Sequence, residues 1–233
     1  MIQISNLWKY YGSFCAVESF DLDIQSGEIF GLLGANGAGK STVIKSIVGL
    51  TKHDKGAISI CGLDADNYPV EAKAKMGYLP ENPSYYGRLT GKEFLNLAAA
   101  LRGKGEDNIL GLAQRFGVRG MLDEQICRYS KGTAQKVGLI QALMHEPPVL
   151  VMDEPFTGLD ISARVALKET LRRRAEKGCA VLLSMHEVEV AESLCTKVGI
   201  MKSGKLAVCG APSSVARATG ARNLESAFMN LMG

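Results

Sequence analysis

The residues with the most pointed chemistry run from Gly34 to Ser41: Gly34-Ala-Asn36-Gly37-Ala38-Gly39-Lys40-Ser41 satisfies G-x-x-x-x-G-K-[ST], and Thr42 follows. That spacing binds phosphates. The glycines permit a tight backbone path that turns successive N–H groups inward as an anion nest, and a helix starting at the end of the loop adds the positive end of its dipole. Lys40 is then placed to reach the β- and γ-phosphates of a nucleoside triphosphate. Ser41 offers its hydroxyl to Mg²⁺ and Thr42 sits over the α-phosphate.

A second constellation is Val149-Leu-Val-Met-Asp153-Glu154, an apolar run ending in two carboxylates. Taken alone, such a pair is an N-cap or a turn. Beside a phosphate loop it has another use: Asp153 holds Mg²⁺ through its water shell, and Glu154, one residue beyond, accepts a proton from an attacking water or orients it.

Both constellations need a particular scaffold. Glu28 to Leu33 reads as a compact apolar strand leading into the loop, and Thr42 to Leu50 as the helix leaving it. Other strands are expected at Ile2–Ile4, Ala16–Ile24, Ala57–Ile60 and Met76–Leu79. Beyond Thr90 the pattern turns helical to about Gln125, punctuated by Gly103, Gly105 and Gly117. A helix over Thr133–Met144 stops at Pro147-Pro148. Helix and strand then alternate: Ser162–Glu176, Cys179–Ser184, Glu187–Leu194, Val198–Met201 and Lys205–Cys209. Alternation of this kind predicts parallel strands with helical crossovers, an α/β chain.

Composition narrows the partners. With 46% hydrophobic and 22% charged residues the chain folds without a disordered tract, and a net charge of +3 gives no reason to expect nucleic acid. The basic run Arg172-Arg173-Arg174 reads as a solvated helix face, and His53 and His145 as surface polar residues. The six cysteines contain no CxxC pair, so reduced, mostly buried thiols are expected. No apolar run reaches the length of a membrane span, so membrane contact is expected only through a partner.

Taken together, these motifs and their order resemble the nucleotide-binding subunit of ATP-binding cassette (ABC) transporters. The resemblance implies a P-loop NTPase fold with a mainly parallel core sheet, an N-terminal antiparallel β-subdomain and an inserted helical subdomain. On that basis residues 1–233 form one ABC ATPase domain, with the helical insertion at about 82–130. ATP and Mg²⁺ are the implied cofactors.

Further residues acquire roles only through the resemblance. Tyr129-Ser130-Lys-Gly132-Thr133 resembles the family signature, presented at a helix N-terminus to ATP on the opposite subunit; read without the family, Ser130 and Thr133 are helix caps. Asp160 in Thr157-Gly-Leu-Asp160 resembles the D-loop, and His186 the switch histidine that contacts the γ-phosphate. Tyr11 matches the aromatic that stacks on adenine, with Tyr10 and Trp8 close by. Glu81, in Leu-Pro-Glu, stands where the family usually has glutamine, and Lys131 and Thr133 replace a glycine and a glutamine. These Leu-Pro-Glu and Tyr-Ser-Lys-Gly variants, with the ending Asn223-Leu-Glu-Ser-Ala-Phe-Met-Asn-Leu, resemble the export-type branch whose permeases are separate membrane subunits. The implied partners are a transmembrane permease and a second ABC subunit, identical or related. The implied location is cytoplasmic, peripheral at the inner face of the cell membrane. A different class, a soluble ABC ATPase acting as a switch in translation or DNA maintenance, usually carries tandem cassettes or long coiled coils, and no sustained heptads are present between Thr90 and Gln125.

Overall fold

The computed structural model describes residues 1–103 and 107–233, so Gly105 lies outside the described residues. In chain order the strands are β1 (Ile2–Tyr11), β2 (Phe14–Ile24), β3 (Ile29–Leu33), β4 (Lys55–Ile60), β5 (Leu63–Asp64), β6 (Met76–Leu79), β7 (Val149–Asp153), β8 (Ala180–Met185), β9 (Lys197–Lys202) and β10 (Lys205–Gly210). The helices are α1 (Lys40–Ile47), α2 (Pro69–Ala74), α3 (Gly91–Leu101), α4 (Asp107–Arg115), α5 (Lys131–Leu143), α6 (Ile161–Glu176), α7 (Val188–Leu194), α8 (Pro212–Ala218) and α9 (Leu224–Met232).

Strands with two different burial patterns build two sheets. β1 and β2 alternate, so Ile2, Ile4 and Leu7 share a buried side with Val17, Phe20 and Leu22, and the sheet β2-β1-β4-β5 is antiparallel with its other face wet. β3, β7 and β8 are buried at every residue, as parallel strands covered on both faces must be. They form the centre of the sheet β10-β9-β3-β8-β7-β6, parallel except for β10, which pairs antiparallel with β9.

Two apolar clusters hold these layers. Val43, Ile44 and Ile47 of α1 pack with Leu7, Phe20 and Phe30 between the two sheets. On the far face of the larger sheet, α5, α6 and α7 contribute Leu139, Leu167 and Ala191 to a cluster that reaches Leu95 of α3 and Phe116 beyond α4. Each fully buried Leu, Ile or Phe is worth about 1.5–3 kcal/mol. The helical stretch predicted from Thr90 lies between β6 and α5. Thr90 caps α3 in a capping box with Glu93 and bridges to Gln125. Gly77 in β6 lets α5 approach: a Cβ there would come within 2.1 Å of the Ala142 carbonyl.

Several boundaries and burials differ from expectation. β1 runs on to Tyr11 because β2 pairs it as far as Tyr11↔Phe14, a partnership that the residue types of β1 alone do not disclose. α1 begins at Lys40, two residues earlier than read, and β5, α2 and α8 are short elements absent from the sequence reading. His53 and His145 are buried, not surface residues: His53 Nε2 is 3.3 Å from both the Gly56 carbonyl and Asp66, and His145 Nε2 is 3.2 Å from the Met76 carbonyl. Arg172 and Arg173 are exposed as expected, whereas Arg174 folds inward to donate to the Pro147 carbonyl at 2.6 Å. All six cysteines are free thiols. Cys179 and Cys195 are buried, but Cys127 and Cys209 are exposed, so burial is less general than composition suggests.

Candidate functional site

β3 delivers the chain from the buried sheet into the glycine loop, where Gly37 (φ 81°) and Gly39 (φ 105°) occupy left-handed backbone. Gly39 is required twice over, since a Cβ would also lie 2.6 Å from the Ala16 carbonyl. Lys40 opens α1 and is 7% exposed. Its Nζ donates to the carbonyls of Gly34 (2.6 Å) and Ala35 (3.3 Å), which holds the ammonium over its own loop. Burial pushes its pKa down, and the carboxylates of Glu154, Asp153 and Glu81 oppose that shift.

The acidic pair arrives from β7. Asp153 is 2% exposed and pairs in register with Ser184 at the end of β8. The Ser184 hydroxyl donates to Asp153 Oδ1 and accepts from the Glu154 N–H at 3.0 Å, so one side chain aims both acids. Glu154 itself adopts φ 50°, left-handed backbone that a non-glycine residue keeps only where its surroundings impose it. His186 follows β8 and places Nδ1 2.8 Å from Glu154 Oε2. Burial pushes the Glu154 carboxyl up, while His186 and then Lys40 hold it down.

Lys40, Glu154 and His186 line a cleft of about 830 Å³, with Asp153 and Ser184 buried outside its lining. The loop from Gly34 to Thr42, Asn36 and Ala38 included, forms its floor together with Glu81, Glu154 and His186, and Tyr11, Phe14 and Ala16 come from the β1–β2 hairpin. Among the three candidate aromatics, Tyr11 lines the cleft, while Trp8 and Tyr10 stack on each other with centroids 6.1 Å apart.

The ABC transporter family profile matches residues 17–157, which contain the loop, the acidic pair and the whole segment between them. The chain belongs to the ABC transporter family. This ABC cassette is 36% identical over 228 residues to the uncharacterized ABC transporter ATP-binding protein YhaQ of Bacillus subtilis, covering 96% of this chain and 76% of that protein. A solved ATP-binding subunit of an ABC transporter superposes with TM-score 0.95 at 34% identity over the full length of both chains. The dimeric ABC cassette MJ0796 shares the fold, with TM-score 0.83 at 22% identity over 91% of this chain and 98% of its own. The cassette is thus an ATP-binding ATPase with the α/β P-loop fold.

The other motif residues of the cassette stand apart from this cleft. Ser130 is the N-cap of α5, accepting from the Thr133 N–H at 3.1 Å, so the cap reading of Ser130 holds, while Thr133 is the third helical residue. Gly132 lies against the segment before α6, where a Cβ would meet the Gly158 carbonyl at 2.7 Å. Asp160 caps α6 through the Ala163 N–H (2.8 Å) and pairs with Lys136 at 2.5 Å, contacts that hold its carboxyl well below the usual range. None of Ser130, Gly132 and Asp160 lines the cleft.

Sequence alone does not single out Ser184, which is fully buried outside the cleft lining, or several residues that do line the cleft. Ser184 carried a signal, a lone hydroxyl in the otherwise apolar run Ala180-Val-Leu-Leu-Ser-Met185. Phe14, and Phe228 and Met232 from α9, carried none, because apolar residues in short elements read as core.

Oxygen donors suited to a hard cation are linked to Lys40 in the chain or through charge: Ser41 follows it, and the carboxylates of Asp153 and Glu81 act electrostatically on its ammonium. Among the described residues no three His, Cys, Asp or Glu converge to cage a metal by themselves. A small donor set of this kind fits Mg²⁺, which takes few protein ligands and completes its shell with water and phosphate oxygens. No helix among the described residues is long and apolar enough to cross a membrane.

Proposed function

We propose that the chain, as one folding unit of residues 1–233, is the ATP-hydrolysing subunit of an export-type ABC transporter. It closes head-to-tail on a second cassette around two ATP molecules and drives a separate transmembrane permease. The observation that carries this reading is the position of Ser130 and Gly132. They sit at the N-terminus of α5 outside their own cleft, with Ser130 exposed, where the positive end of the helix dipole would face a second subunit's γ-phosphate. The dimeric MJ0796 cassette, which shares the fold, supports it.

Within the site, Tyr11 stacks on the base, and the Gly34–Thr42 loop with Lys40 holds the phosphates. Mg²⁺, held by Ser41, by Asp153 through water and by Glu81, would neutralise charge building on the γ-phosphate. Glu154 takes the proton of the attacking water, and His186 orients Glu154 and reaches toward the γ-phosphate. Asp160 communicates across the dimer.

Export-type assignment rests on Leu79-Pro-Glu81 and Tyr129-Ser-Lys-Gly132, and it places the chain in the cytoplasm at the inner face of the membrane. Co-purification from membranes tests it. A multi-span protein recovered through the region from Glu81 to Gln125 is the expected result. Recovery with ribosomes or DNA and no membrane protein would instead establish a soluble ABC switch.

A further inference from the structure

The cleft has two chemical characters. Its floor is the phosphate loop with Glu81, Glu154 and His186, whereas Tyr11, Phe14, Phe228 and Met232 give it an apolar side. A nucleotide divides the same way, with charge at one end and a flat aromatic base at the other.

The position of α9 matches that division. Its buried residues are Leu224 and Ala227, while Phe228 and Met232 are half-buried, packed against the same apolar core and also lining the cleft. Lys202, at the end of β9, donates from Nζ to the Leu231 carbonyl at 2.6 Å, a cation on the helix C-terminus. Two residues on, the Gly204 N–H donates to the Ala38 carbonyl of the loop (3.0 Å), and the Gly204 carbonyl accepts from the Glu18 N–H of β2 (2.9 Å). The last turn of α9 is therefore fastened to the same β9–β10 turn that touches the phosphate loop and the strand bearing Phe14 and Ala16. β9 also lies on the side of β3 away from β8 and β7, whose ends lead to His186 and Glu154.

We propose that α9 is the base-side wall of the nucleotide cleft, with Phe228 and Met232 contacting the purine opposite Tyr11 and Phe14. This rests on the cleft being the ATP site. Truncating either side chain removes an apolar face from the base and leaves the phosphate contacts intact, so ATP affinity falls about tenfold while phosphate binding is unchanged.

Titration calorimetry with ATP and with inorganic tripolyphosphate, on the parent chain and on Phe228→Ala, Met232→Ala and the better-packed Phe228→Leu, tests this. Weaker ATP binding with constant tripolyphosphate binding is expected. Unchanged or tighter ATP binding overturns the proposal, and so does an equal loss of both ligands, which would mean a distorted loop. Photolabelling the unaltered protein with 8-azido-ATP needs no variant: label is expected in the tryptic peptide 223–233 released after Arg222, and its absence there overturns the wall. A parent chain that binds tripolyphosphate but not ATP would sink the nucleotide assignment itself, and α9 with it.

Discussion

His186 Nδ1 lies 2.8 Å from Glu154 Oε2, which makes the histidine after β8 and the carboxylate after β7 one hydrogen-bonded unit. An ionised carboxylate only accepts, so Nδ1 carries the proton and Nε2 is the nitrogen left to face the cleft. Replacing Glu154 by Gln keeps the side chain's size and removes its basicity. Turnover should fall by about 10²–10⁴-fold while ATP binding survives. Steady-state phosphate release together with light scattering in ATP checks this: a parent-like rate, or no retained dimer, refutes the assignment.

The same pair sets the pH response. Burial raises the Glu154 carboxyl and His186 opposes that rise. The base must be ionised to work, so the acid limb of turnover should lie above the ordinary glutamate range, and His186→Ala should move it to higher pH. For stability the raised value has the opposite consequence: the group favours the fold fully below the unfolded glutamate pKa, and that contribution is lost as pH rises through the folded value. A pH–rate profile of the alanine variant that overlays the parent's, apart from scale, would contradict the coupling.

Ser184→Ala should destabilise the chain by about 1–3 kcal/mol, because it strands the Glu154 N–H and removes a donor from buried Asp153. Urea unfolding measures the loss. A change within error would mean that water replaces the hydroxyl without cost.

Lys40→Ala should abolish measurable ATP binding in calorimetry, since it deletes the buried cation and leaves the Gly34 and Ala35 carbonyls without their donor. Parental affinity would overturn the loop assignment.

Gly77→Ala should cost about 1–3 kcal/mol by pushing α5 off β6, where the new methyl would meet the Ala142 carbonyl. Normal thermal stability would show that the helix yields freely.

Much of the site is legible in sequence because phosphate binding demands glycine, lysine and hydroxyl residues at fixed spacing. The loop from Gly34, and Asp153 with Glu154, announce themselves through residue types at the ends of apolar runs. The central strands are legible for a related reason: Val149–Asp153 and Ala180–Met185 are apolar throughout because both faces are covered. What stays hidden depends on partners distant in the chain. Nothing local says that Ser184 serves two acids about thirty residues earlier, that His53 and His145 are buried, or that Phe228 reaches the cleft. The far half of β1 is drawn by its pairing with β2.

The register Asp153↔Ser184 has a kinetic consequence. The hydroxyl that aims both carboxylates comes from a strand joined to β7 only through the whole of α6, so the acids are aligned only once β7 and β8 have paired across that crossover. A chain with its helices formed and its phosphate loop folded, but with those strands unpaired or slipped by one residue, would hold nucleotide without cleaving it. During refolding from denaturant, ATPase activity should therefore return after nucleotide binding, and the lag between them times the closing of the central sheet.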